Sequence, residues 1–551
     1  MRALASGLAL LVAGCAHQRP DPVSARTTVW SARAIRTQDP KAPIVEALVV
    51  RDGKIAFTGT RAAAVSFAGA AAAVEDFAEA TIVPGLVDAH AHLLSLGRSL
   101  SIARLNAARS KEEAVELLER ASAGSAQGEW LLGRGWDQND WSSKEFPTRA
   151  LLDEKFPARP VYLSRVDGHA AWVNGKALER AGITAQTKDP AGGRILRDAS
   201  GEPTGVLIDN ALDLVSARIP KPTDAQLRER LQKAIDRCAS VGLTGIHDAG
   251  MEWAAFMQLQ HWDATSALKI RIYALADGQG ADAPDYLGAG PFEGKRLRMR
   301  GVKFLADGAL GSRGAALHAP YSDERSQSGL LLLSREELEQ KAKAFAGKGF
   351  QVAVHAIGDR ANTTVIDVLG ALEQAKPGSR HRVEHAQLLR AEDVPRLAAS
   401  GLIASFQPTH ATSDMPWAGA RVGEERLKYA YAWRSVLDSG AHVAFGSDFP
   451  VEDPEPLAGF YSARFRQDPQ GKPEGGWHPE QRVTGEEALA AFTSGAAYAE
   501  FAEGRRGTLA VGMDADFVVL SVDPVAAPAA ELLKAKVRAT VVAGVEVFRA
   551  P

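Results

Sequence analysis

The run T-I-V-P-G-L-V-D-A-H-A-H, Thr81 to His92, ends in two histidines separated by one residue. Its β-forming residues, interrupted by a Pro-Gly step, read as a buried strand. Side chains alternate across a strand, so His90 and His92 share a face. Two neutral imidazoles converging from a strand end make half of a transition-metal site, because their ring nitrogens are good ligands for zinc and its neighbours. The pair alone proves little. Two polar strand-end histidines satisfied by hydrogen bonds explain an isolated H-x-H better, until further ligands are found.

The elements that follow supply them. From Asp224 onward, amphipathic helix and short apolar strand alternate regularly. The helix L-R-E-R-L-Q-K-A-I-D-R-C-A-S-V leads to G-L-T-G-I-H-D, then L-K-I-R-I-Y-A-L, G-V-K-F-L-A-D-G, F-Q-V-A-V-H-A-I-G-D, H-R-V-E-H-A-Q, L-I-A-S-F-Q-P-T-H and A-H-V-A-F-G-S-D-F-P. With the opening strand these make eight, the pattern of an α/β fold of the (β/α)8 TIM-barrel type, which places its chemistry at the C-terminal strand ends. Lys303 sits on the fourth strand, His355 and His385 end the fifth and sixth, and Asp448 ends the eighth. Six groups that bind metal, or can be converted to do so, gather on one rim, and the separate innocent readings then multiply against one another.

Around this barrel the chain divides into 1–25, 26–81 with 504–551, and 82–503. The first part has one arginine, an apolar run and then V-A-G-C, which has the shape of a secretion signal too short to span a membrane. The V-A-G-C sequence resembles a bacterial lipobox, which implies lipidation of Cys15 and a tethered chain in the cell envelope, on the periplasmic side of the outer membrane. Only Cys238 then remains, so no internal disulfide is available. Short strands and turns near both ends, with Asp52-Gly53 as a hairpin signal, predict one small composite β-sandwich, since neither set has enough strands for its own core. The Pro84-Gly85 step would mark the exit into the barrel. Residues 105–223, rich in tryptophan and loops, form an excursion between the first and second strands, expected to cover the mouth as a lid. A net charge of -3 carries no basic excess, which argues against nucleic acid as a partner. A homodimer is compatible with the sequence, which does not fix the oligomeric state.

The motifs P-G-L-V-D-A-H-A-H, G-V-K-F-L-A-D-G-A-L-G-S-R, V-H-A-I-G-D, R-V-E-H-A-Q, G-S-D-F-P-V and G-T-L-A-V-G-M-D-A-D-F-V-V-L together resemble the amidohydrolase superfamily, in its YtcJ-like, N-substituted formamide deformylase-like branch. The resemblance implies a metal centre of one or two divalent transition metal ions, zinc first, although nickel, manganese or iron would suit the same ligands. His90, His92 and Asp448 would hold one ion, and His355 and His385 the second. Lys303 has no lone pair as an ammonium; by similarity it would be carbamylated and bridge the two ions. The alternative is an inward-facing lysine paired with Asp307. A metal-bound hydroxide would then attack an amide-like, non-peptide C–N bond of a small molecule, with Asp448 moving the proton to the leaving amine.

Beyond the ligands, Trp136, His169, His247, Asp307, Arg313, Gln407 and His410 are candidates to touch substrate or to orient ligands, each with a plain loop or lid hydrogen bond as the alternative. Trp141, Trp172 and Trp417 join Trp136 as residues that would wall an apolar pocket or simply pack. Two other functions stay open at this point. The same site would serve a lactone, cyclic imide or phosphoester, and a lipoprotein barrel would serve as a metal-stabilised binding module without catalysis.

Overall fold

The computed structural model describes residues 27–123, 129–166, 168, 170–190 and 193–551. Eight parallel strands follow one another around the main body: β1 (Leu86–Ala91), β2 (Leu243–Met251), β3 (Arg271–Asp277), β4 (Leu297–Leu305), β5 (Gln351–Ala356), β6 (Arg382–His385), β7 (Ile403–Phe406) and β8 (His442–Phe445). Each pairs in parallel with the next. The ring is nearly closed between β8 and β1, where Asp448 N–H donates to His90 O at 2.8 Å and His92 N–H to Phe449 O at 3.0 Å. These two bonds join the first and last expected ligand-bearing segments directly.

Helices coat the ring, and their starts are written in the sequence. Thr223 with Gln226, and Ser334 with Glu337, form reciprocal capping boxes that open Asp224–Ser240 and Arg335–Gly347. The first of these helices buries Leu227, Leu231, Ala234, Ile235 and Cys238 on one stripe against the strands.

Strands from both chain ends pair in one continuous seven-stranded sheet. Thr28–Arg36, Ile44–Arg51, Lys54–Gly59 and Ala73–Pro84 come from the start, and Phe517–Leu520, Val537–Val542 and Val545–Arg549 from the end. The Asp52-Gly53 turn has φ 52° and 73°, the doubly positive backbone that a tight hairpin demands. Ala73–Pro84 runs past residue 81, and the handover to β1 falls at Gly85. A Cβ there would lie 2.3 Å from Thr244 Oγ1 and 3.0 Å from Asp516 Cβ, so only glycine passes.

The excursion after β1 is a folded unit with its own six-stranded sheet, built from Ala103–Arg104, Leu131–Trp136, Val161–Arg165, Ala170–Val173, Gly193–Arg197 and Pro203–Asp209. Alternation along Ala170–Val173 sends Trp172 to one core, with Trp136 and Trp141, and Ala171 with Val173 to another. Both faces of that sheet are therefore covered.

Candidate metal centre

Six side chains meet around a cavity of about 540 Å³ at the C-terminal end of the barrel: His90, His92, Lys303, His355, His385 and Asp448. His92 Nε2 lies 3.0 Å from Asp448 Oδ1, and His90 Nε2 lies 3.6 Å from the same oxygen. Lys303 Nζ is 3.1 Å from His90 Nε2. The His385 ring centroid is 4.5 Å from that of His355 and 4.7 Å from that of His90. Ligand atoms fall into two compact sets, each within 4.8 Å: His90–His92–Asp448 and His385–His410–Asp448. The first is the trio expected for one ion. The second contains His410, expected to touch substrate or to orient ligands; His355, expected with His385 on the second ion, lines the same cavity with Nε2 3.5 Å from Asp307 Oδ1.

The backs of the rings decide where their fronts point. His90 Nδ1 donates to Glu384 Oε2 at 2.5 Å, and His385 Nδ1 donates to Gln407 Oε1 at 2.6 Å. Each bond fixes the tautomer that leaves Nε2 free to bind a cation. Gln407 donates its own amide to Ser405 O at 3.2 Å, which keeps its carbonyl turned to His385. Asp88 straps the β8 turn to β1 by accepting from Ser447 Oγ at 2.6 Å and His90 N at 3.1 Å. His385 and Asp448 stand at φ 69° and 60°, left-handed backbone that non-glycine residues seldom adopt and that clusters at functional sites.

Burial, followed by the neighbouring Lys303 charge, pushes His90 down to about 4 and His355 down to about 3. Both are neutral at pH 7 and keep a lone pair for a metal. Burial also lowers Lys303. Among the buried ring nitrogens without a hydrogen-bond partner in the described residues are Nε2 of His355 and of His410 at this rim, and Nε2 of His247 below it. Buried polar atoms left this way cost roughly 1–3 kcal/mol each. Imidazole nitrogens with a shared carboxylate suit zinc and its neighbours, so these residues fit a divalent ion.

The remaining candidates divide. His247 is buried in β2 with Nδ1 2.9 Å from Arg382 Nη1. Asp307 accepts the backbone N–H groups of Ala316, Ile357 and Gly358 at 2.8–3.0 Å, so it pins two loops; no Lys303–Asp307 ion pair forms among the described residues. Arg313 pairs with Asp323 at 3.0 Å, away from the cavity lining. Of the two readings open for Trp136, pocket wall or packing, its burial favours packing. The side chain is fully buried in the core of the inserted unit, tilted against Trp141 and edge-on to Trp172, and donates its indole N–H to Leu163 O at 2.8 Å. Trp417 packs on Gly311 under the Arg421 guanidinium. His169 and Cys15 lie outside the described residues.

Arg382 and Glu384 were not singled out in the sequence, although R-V-E-H offers a signal: two opposite charges two apart on one face of a strand otherwise buried in a barrel. Asp277 and Gln279, which line the cavity beyond Lys303, gave no comparable sign.

Residues 73–548 match the model of the amidohydrolase family. The chain is 34% identical over 530 residues to the protein YtcJ of Bacillus subtilis (strain 168), covering 94% of this chain and 99% of that one. It is 29% identical over 531 residues to the N-substituted formamide deformylase of Arthrobacter pascens, covering 93% and 96%. The crystal structure of a metal-dependent hydrolase from Pyrococcus horikoshii OT3 superposes with a TM-score of 0.77 at 29% identity, over 91% of this chain and 99% of that chain. A match over nearly the whole length, on a barrel whose histidines and aspartate gather at one rim, makes the chain a member of the amidohydrolase family.

Proposed function

We propose that this metal-dependent hydrolase cleaves an amide-like C–N bond, other than a peptide bond, in a small molecule. The observation that carries the reading is Asp448, whose carboxylate is shared by both sets of ligand atoms and faces the cavity. His90, His92 and Asp448 would hold one divalent ion, and His385 with His355 or His410 would hold a second beside the shared Asp448; such ions would supply Lewis acidity and bring the ionisation of water toward neutral pH. Asp448 then takes the proton of the attacking water on a carboxylate oxygen and passes it to the departing nitrogen. An amine is too poor a leaving group without that proton. Glu384 and Gln407 hold His90 and His385 in the tautomers that keep Nε2 forward.

Lys303 is buried, and burial favours its neutral amine, the form that attacks carbon dioxide. The N–C bond of a carbamate forms as the amine releases a proton, which turns a side chain unable to ligate into a carboxylate-like one. The inserted unit reaches the β8 loop through Arg104 and Asp453 at 3.1 Å, which supports its reading as a cover for the mouth. The envelope location rests on V-A-G-C alone.

The test is a panel of N-formyl amines, N-acyl amines, cyclic imides, N-acyl amino acids, lactones and phosphoesters, run on zinc-loaded protein with metal content measured in parallel. Amine release with one to two equivalents of metal is expected. Turnover confined to lactones or phosphoesters would reassign the bond, and a folded, metal-free protein that binds ligands without turnover would make it a binding module.

A further inference from the structure

We infer that the buried Arg382–Glu384 pair makes the two metal seats unequal, so that the seat built on His90 fills first and holds its ion more tightly than the seat built on His385. The inference rests on the reading of these histidines as ligands.

Both charges of the pair are fully buried inside the barrel, a space that such folds usually fill with apolar side chains. Arg382 Nε donates to Glu384 Oε1 at 2.6 Å and Nη2 to Oε2 at 3.1 Å. The same Oε2 receives His90 Nδ1–H at 2.5 Å. The carboxylate is thus held from one side and aimed at a ligand from the other. Arg382 is fixed in turn: Nη2 donates to Ala89 O at 2.6 Å, next to His90 in the chain, and to Ser405 Oγ at 3.1 Å. Its Nη1 donates to His247 Nδ1 at 2.9 Å. Arginine only donates, so His247 must accept there and carry its proton on Nε2. His247, Arg382, Glu384 and His90 therefore form one chain across β2, β6 and β1.

Apolar residues of similar volume often serve a fold as well as a buried ion pair does, so stability alone gives no reason for this chain. What an apolar replacement lacks is a charged acceptor behind His90. Such an acceptor raises the basicity of the ligating nitrogen. His385 has only the neutral amide of Gln407 in the same place. The two seats differ in the charge behind them.

The experiment titrates metal-depleted full-length protein with zinc against a competing chelator. Wild type is expected to show two steps, the first tighter. The double variant Arg382→Met/Glu384→Gln removes both charges while leaving an amide oxygen for His90, and is expected to weaken the first step by roughly 10–100-fold and bring the two together. Arg506→Met/Glu500→Gln removes another buried pair, at the opposite end of the barrel, and is expected to move neither step. Wild type that takes up no metal would defeat the reading of the site itself. Wild type that loads while the Arg382/Glu384 variant keeps its tight step, or equal weakening in both double variants, would overturn the inference and leave the reading intact. Should the double variant not fold, proton NMR of the metal-depleted wild type decides: the Nδ1 proton shared by His90 and Glu384 is expected far downfield, and its absence overturns the inference.

Discussion

Replacing Arg271 with methionine tests the division of labour between the two ends of the barrel. Arg271 opens β3 at the end remote from the cavity and is 7% exposed. Its Nε and Nη2 donate to the two oxygens of Asp516 at 2.5 and 3.0 Å, and Nη2 also lies 3.1 Å from Asp514. Asp514 would keep Lys54 as a partner, whereas Asp516 would keep the backbone N–H of Ala543 and the weaker pull of the Arg506 charge. Breaking a buried ion pair from one side costs about 3–5 kcal/mol, a large share of the roughly 5–15 kcal/mol that holds a domain folded. The pH dependence has a definite sign. In the wild type burial works against the Asp516 carboxylate, and the Arg271 charge overcomes it and holds the group below its ordinary value. That stability is present above the unfolded value of about 4 and is lost only as pH falls through the folded one. In Arg271→Met the stronger opposing charge is gone and burial, the largest influence on Asp516, is met only by the weaker pull of Arg506, so the variant gains by protonation and the deficit narrows from pH 7 to pH 5. Urea unfolding followed by tryptophan fluorescence and circular dichroism at both pH values measures it, with metal content expected unchanged. A deficit below about 1 kcal/mol at pH 7, or one that widens on acidification, would refute the reasoning.

Asp448→Asn is expected to lower turnover by about 10²–10⁴-fold with fold retained; turnover near wild type would remove the proton-transfer role. Lys303→Ala is expected to disable the enzyme and to recover partly when short carboxylic acids are added with metal. An unmodified amine at Lys303, seen by mass spectrometry in fully active metal-loaded protein, would exclude the carbamate. His381 is pushed down to about 4 by burial and accepts Val352 N–H at 2.9 Å. Because its ordinary value is 6.5, the unfolded chain binds the proton first, and stability falls by about 3 kcal/mol as pH drops from 6.5 to 4. His381→Asn should flatten that part of the pH–stability curve, and an unchanged slope would count against the assignment.

Strand order and the six convergent groups were legible because each depends on a local pattern: apolar runs of strand length, helix starts, and a polar residue at or just beyond a strand's C-terminal end. What periodicity omits is rotation around the barrel and the aim of loops. His410 lies in the first turn of Pro408–Val422, and nothing in F-Q-P-T-H states that its ring returns parallel to His385. Wall and packing both stayed open for Trp136 for a related reason. A tryptophan-rich insertion suggests a pocket wall, yet this insertion has enough strands to need its own core, and the tryptophans fill it. Arg382 and Glu384 sit inside a four-residue strand whose alternation is too short to separate a buried pair from an exposed one.

The seven-stranded sheet also sets an order on biosynthesis. Thr81 pairs with Leu520, a partner 439 residues later in the chain (520 − 81). At about 5–20 residues per second, that partner emerges roughly 20–90 s after Thr81. Throughout that interval Ala73–Pro84 offers one unpaired edge, and the glycine passage at residue 85 lacks the Asp516 side of its packing. A ribosome that stops between Asp448 and Phe517 therefore leaves a barrel with all its ligands translated and an open strand at its base. Such a product is marked for aggregation or proteolysis by its edge rather than by any defect in the site.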